Sequence, residues 1–174
     1  MIKDIIFVDP SLRSTGIFAL RDGVGISETI TTDGSHIEAL GTIAKAFEGC
    51  AKLYKLLVIE DYAFGKASQS VSKNAEVGGI IRGVFSMKGI PVLEMPISVW
   101  KSVSNVRLKK ETSAQKRVYR EMVGELAGDR YFDSTDACDA WLLYYTTKYL
   151  LHAQPKTDAQ KELKAKLQEL EVVL

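Results

Sequence analysis

Cysteine is scarce in this chain: Cys50 and Cys138 are the only two in 174 residues. Their number and irregular placement exclude a disulfide framework or a zinc cluster and suit a reducing compartment. No apolar stretch runs uninterrupted for the roughly 18 positions that a membrane span needs. Met-Ile-Lys-Asp leads directly into a strand, without the basic start and long apolar segment of a signal peptide. The expectation is a soluble, cytoplasmic protein. Net charge is small, at +1, so a uniformly basic protein is excluded. Repeats and low-complexity tracts are missing, and with 46% hydrophobic residues nothing suggests disorder or collagen. One globular domain with a substantial core is what these absences leave.

Against that background four acids stand out, each beside an apolar run where an uncompensated charge is costly. Asp9 ends Ile-Ile-Phe-Val and precedes Pro10 to Gly16, after which Ile17-Phe18-Ala19-Leu20 reads as a second strand. Glu60 closes Leu56-Leu57-Val58-Ile59, the continuous apolar run of a strand covered on both faces. Asp136 and Asp139 follow Asp133, Ser134 and Thr135, three plausible N-caps, and precede the helical stretch Ala140 to Leu151. Three residues apart on a helix, they share a face. Oxygen ligands gathered from strand ends and a helix start point to a divalent metal site. An acid in a first helical turn accounts for Asp136 alone, and explains neither Asp139 nor Asp9. Asp61 and Glu94 also border strands and are read as structural. Cys138 is read as a small buried residue.

The remaining order is a third strand near Ile26 to Thr32 and a helix with Ile37, Leu40, Ala44, Phe47 and Ala51 on one face. The strand 56–60 leads through a loop, 61–69, to a helix over about 71–88 and a strand from Ile90 to Leu93. This β-α-β order makes the last two strands parallel. A short helical turn follows Pro96 and ends near Lys101, and Thr112 to Gln115 has the form of a capping box for a helix through Leu126. Beyond Pro155 the segment 153–174 is a charged amphipathic helical tail, with Leu163, Leu167, Leu170 and Leu174 as a stripe that packs on the body or on another chain. The helix over 71–88 carries Val77, Ile80, Ile81, Val84 and Phe85 around Gly78, Gly79 and Gly83, more apolar surface than one face uses, which suggests a partner helix.

Charge is uneven along the chain. Between Lys101 and Arg120, seven basic residues (Lys101, Arg107, Lys109, Lys110, Lys116, Arg117 and Arg120) face a single acid, Glu111. Such a segment in a near-neutral chain suits a polyanion, the alternative being a solvated helix face.

Laid out this way, residues 1–152 resemble the RuvC family of Holliday-junction resolvases. Val8-Asp9-Pro10-Ser11 with Thr15-Gly16 resembles the family's Asp-Pro-Gly start, Ile59-Glu60 its second catalytic strand, and Asp136-Ala-Cys-Asp139-Ala its Asp-Ala-x-Asp-Ala helix. Gly78 to Gly83 is similar to the glycine-containing helix after the Glu, and the stretches 96–101 and 113–116 to those carrying lysines. Ser11 departs from the family's glycine, and the aromatic expected near the junction centre is Tyr62 or Phe64.

The resemblance implies an α/β, ribonuclease H-like nuclease domain, with a mixed five-stranded sheet whose first three strands are antiparallel and the rest parallel, flanked by helices. It implies a homodimer that nicks four-way DNA junctions, and other branched DNA. Asp9, Glu60, Asp136 and Asp139 would hold two Mg²⁺ ions per site, for which Mn²⁺ would substitute. Lys116, with Lys101, would stabilise charge at the scissile phosphate, and Arg107, Lys109, Lys110 and Arg117 would contact DNA. Divergent members of this kind occur in phages, which would place the protein in a host cytoplasm. Two rival readings remain: a branched-DNA binder without catalysis, and an actin-like phosphotransferase, since Asp9 to Gly16 also resembles that superfamily's phosphate loop. The length and the lack of a second Gly-rich loop oppose the latter.

Overall fold

The computed structural model describes residues 1–61, 69–106 and 112–174. Tyr62, Phe64, Arg107, Lys109 and Lys110 lie outside these residues. Five strands form one sheet: β1 (Ile5–Asp9), β2 (Ser14–Arg21), β3 (Val24–Thr31), β4 (Leu56–Glu60) and β5 (Val92–Met95), in the spatial order β3-β2-β1-β4-β5. The first three pair antiparallel, and β1–β4 and β4–β5 pair parallel. The sheet is therefore mixed in the way the sequence order implies. Asp22 and Gly23 both take positive φ, 52° and 79°, and close the β2–β3 hairpin as a two-residue turn of the type whose twist matches the strands.

Helices cover both faces. On one side α1 (His36–Cys50) and α2 (Gln69–Ser86) pack on Ile6, Val8, Ile17, Leu57 and Ile59. On the other, α3 (Ile97–Ser104), α4 (Ser113–Leu126), α5 (Thr135–His152) and α6 (Asp158–Glu169) cover Ile5, Phe7, Phe18, Leu56 and Val58. Successive residues of a strand point to opposite faces, so a strand covered twice must be apolar at every position. That is why β1 and β4 read as unbroken hydrophobic runs.

Local details differ from the sequence expectation. The buried face of α1 is Ala39, Ile43 and Phe47, with Ile37 74% exposed. The capping box of Ser35 and Glu38 starts the helix at His36, and Ile37 lies in its exposed first turn. Strand β5 lies two residues later than expected, so Glu94 sits within this edge strand, ion-paired to Arg82 at 3.1 Å, and Met95 ends it. The turn expected after Pro96 is an eight-residue helix.

The tail packs on the body. Leu163 and Leu167 are buried in the same core as α5, with Leu170 and Leu174 against it. The chain ends are also tied together: Ile2 N–H donates to Glu171 O at 2.9 Å, and Val173 N–H to Ile2 O at 3.0 Å. Among the described residues no helix is long and apolar enough to cross a membrane.

Candidate active site

Strand parity places the first two acids. Ile5 and Phe7 face the α5 side of the sheet, and Asp9 is the next residue with that parity; Leu56, Val58 and Glu60 repeat the pattern on β4. The strands pair parallel through Val8 and Ile59, so Asp9 and Glu60 follow as neighbours at the same carboxyl edge.

The other pair comes from the start of α5. Ser134 caps the helix, accepting from Ala137 N–H at 2.9 Å, while Asp133 takes a bond from Thr29 Oγ1 at 2.7 Å. The helix start is pressed against β2 at Gly16, where a Cβ would lie 1.9 Å from the Asp136 carbonyl oxygen. Only a residue without a side chain permits that approach. Asp136 and Asp139 are thereby brought to the edge where Asp9 and Glu60 end their strands.

The electrostatics show the four acids acting on one another. Burial pushes the Asp9 carboxyl well above its ordinary range, and the charges of Glu60, Asp139 and Asp136 push it further. Glu60 is raised to about 7, again mainly by burial; the Trp100 hydrogen bond and Lys101 oppose the rise, and Asp136 and Asp61 add to it. Asp139 is likewise raised to about 7 by burial, against a hydrogen bond from Tyr119, with Glu60 and Asp136 adding repulsion.

Three acids are held by neutral donors. Trp100 Nε1–H donates to Glu60 Oε2 at 2.8 Å, Ser14 Oγ–H to Asp136 Oδ2 at 2.5 Å, and the Tyr119 hydroxyl to Asp139 Oδ1. Burial and the Asp139 charge push the Tyr119 hydroxyl far above its usual value, so it stays a donor. Among the described residues no three His, Cys, Asp or Glu side chains converge as they would around an ion. The carboxylates instead turn toward these donors. The set still fits a hard divalent cation: its donors are all oxygens, and the mutual repulsion at a buried site is what a cation relieves.

Of the expected lysines, Lys101 is the one whose charge opposes the rise at Asp9, Glu60 and Asp139. Its Nζ stands 5.0 Å from the centre of the Trp100 ring. Lys116 is half-buried on α4, one turn before Tyr119, and Arg117 is exposed and paired with Glu121 at 3.5 Å. Cys138, fully buried, has its thiol raised by burial and by Asp139, and is inert. Sequence reasoning missed Ser14, Trp100 and Tyr119. Trp100 adjoins Lys101 and Tyr119 interrupts the basic segment, but neither position signals a carboxylate partner.

No protein-family model matches the sequence, and no curated protein matches it. Among solved structures the chain is similar to Thermus thermophilus RuvC in complex with Holliday junction substrate, at 15% identity and a TM-score of 0.64, over 84% of this chain and 93% of that one. A second structure of Thermus thermophilus RuvC matches at 14% identity and a TM-score of 0.61, over the same shares. Fowlpox virus resolvase with its substrate Holliday junction DNA gives a TM-score of only 0.44 at 13% identity, over 96% and 98% of the two chains. The fold is thus ribonuclease H-like, in the form RuvC adopts.

Proposed function

We propose that this protein is a divalent-metal-dependent endodeoxyribonuclease that nicks four-way DNA junctions, with other branched DNA as further substrates. The observation that carries this reading is the gathering of Asp9, Glu60 and Asp139 at one sheet edge, where the charge of Asp136 acts on all three. Asp9, Glu60 and Asp139, each raised by burial and by neighbouring charges with Asp136 among them, are costly to keep together unless a cation joins them. The fold shared with Thermus thermophilus RuvC, whose structure holds a Holliday junction, supports the choice of substrate.

In this reading the four carboxylates hold two Mg²⁺ ions, or Mn²⁺ in their place, which when bound supply Lewis-acid charge and a nucleophilic water. The protein's own contribution is placement. Strand β1 and strand β4 fix two acids side by side, Gly16 lets α5 deliver the other two, and the three neutral donors hold carboxylate orientations. Lys101 adds a positive charge at the acids and, with Lys116, stabilises charge developing on the phosphate. The basic stretch from Lys101 to Arg120 follows the phosphate backbone. A homodimer built on α2 would set two sites on opposing strands of a near two-fold junction.

A gel assay of four-way junction, fork, flap and linear duplex with Mg²⁺, Mn²⁺ or chelator tests the reading. Junction nicking that needs either ion and spares linear duplex is expected. Junction binding without cleavage in both ions would favour a non-catalytic binder, and ATP turnover would favour the phosphotransferase.

A further inference from the structure

We infer that the outer face of α5 is a second nucleic-acid contact, a groove that takes unpaired bases of a DNA strand. The choice of polymer rests on the reading above; none of the residues that form the groove was assigned a role there.

Tyr145, Lys148, Tyr149 and His152 recur at i, i+3, i+4 and i+7, so they share one face of the helix. With Ala153 they line a cavity of about 340 Å³. Lys148 and His152 are exposed and the two tyrosines half-buried, so a face that carries three planar rings opens to solvent. Tyr145 is held in place: its ring stacks on Trp141, with centroids 5.5 Å apart and 28° between the planes, and Trp141 packs edge-on against Phe132 at 6.1 Å. A ring fixed in this way is a preformed platform that loses little freedom when a base lands on it.

Charge selects the occupant. None of the five residues that line the groove is an acid. Lys148 supplies a positive charge at its wall and Lys164 another at its end, where Nζ donates to Ala153 O at 2.7 Å. Planar rings beside cations fit planar bases joined by phosphates. The apolar face of a second copy would instead have to bury Lys148 without a partner. A duplex also fits less well, because its bases are stacked on one another, whereas aromatic side chains take the free faces of unpaired bases while cations follow the backbone. The groove is separate from the acids: Asp139 and Tyr149 are ten positions apart on α5, about 15 Å along its axis at ~1.5 Å per residue. A branched substrate cut at the acids can therefore lay an unpaired arm along the same helix.

Fluorescence anisotropy of a labelled oligo(dT) strand, and of a duplex of the same length, with the full chain in EDTA tests this without any cleavage entering the readout. Tyr149→Leu keeps apolar bulk against the core and should weaken single-strand binding about tenfold, with duplex binding little changed. Lys148→Gln, at an exposed position, should lower the slope of log affinity against log salt for the single strand by about 0.7, which loss of packing alone would not do. It decides the matter if Tyr149→Leu fails to fold. Folded variants that bind the strand with wild-type affinity and salt slope would overturn the inference. So would variants that keep strand affinity but lose a dimer seen by light scattering, since the groove would then belong to a second copy. Strand binding through the groove by a wild type that leaves junctions uncut in Mg²⁺ would sink the nuclease reading and leave this contact standing; a wild type that binds no DNA would sink both.

Discussion

At Gly16 one added methyl group would displace the start of α5. A Cβ there would stand 1.9 Å from the Asp136 carbonyl oxygen, a backbone atom that moves only if α5 moves. Gly16→Ala is expected to cost about 3 kcal/mol, the upper range for forced overpacking, measured by chemical denaturation, and to separate Asp136 from Asp9. The acids make a second residue-scale prediction. Glu60 rises from 4.5 and Asp139 from 3.8, both to about 7. Between those values the folded protein holds protons that the unfolded chain has released, so metal-free stability falls as pH rises through about 4 to 7. Asp139→Asn removes one titrating group and should flatten that fall, raising the metal-free melting temperature at pH 8 relative to wild type but not at pH 4. A variant whose pH profile overlays the wild type's would show that Asp139 is not strained. For Lys101, whose charge reaches three acids, Lys101→Met should lower single-turnover cleavage about 100-fold while junction affinity changes little.

Among the elements, α1 shows how far a periodic pattern can be trusted. The expected set Ile37, Leu40, Ala44, Phe47 and Ala51 and the observed set Ala39, Ile43 and Phe47 both have helical spacing; Phe47 and Ala51 are buried and Leu40 packs against the same core, so spacing alone does not choose between them. Packing on the sheet chooses, with Ala39, Ile43 and Phe47 in the cluster of Ile6, Val8, Ile17, Leu57 and Ile59. Ile43→Ala should therefore cost about 3 kcal/mol and Ile37→Ala less than about 0.5, read from urea midpoints. The tail posed a different problem. Its leucine stripe announced an apolar face but not what would cover it, because amphipathicity carries no information about the partner. The core against α5 covers it, and Leu167→Ala should destabilise the whole domain by about 2–5 kcal/mol in one transition. A separate low-temperature transition would mean that α6 melts by itself.

For the molecule as a whole, the sheet and the acids were legible because they obey short-range rules. Unbroken apolar runs mark strands covered on both faces, and parity then places Asp9 and Glu60 toward α5. The donors Ser14, Trp100 and Tyr119 were not legible, since each pairs with an acid at least 20 positions away and nothing local in the sequence distinguishes them from ordinary core or loop residues. The central claim is that the acids form one cation-dependent cutting site, and the most direct measurement is cleavage of a labelled four-way junction by wild type and by Asp9→Asn in Mg²⁺. The account predicts that Asp9→Asn folds and binds the junction but leaves it intact, while wild type nicks it. Nicking by Asp9→Asn at the wild-type rate would contradict it.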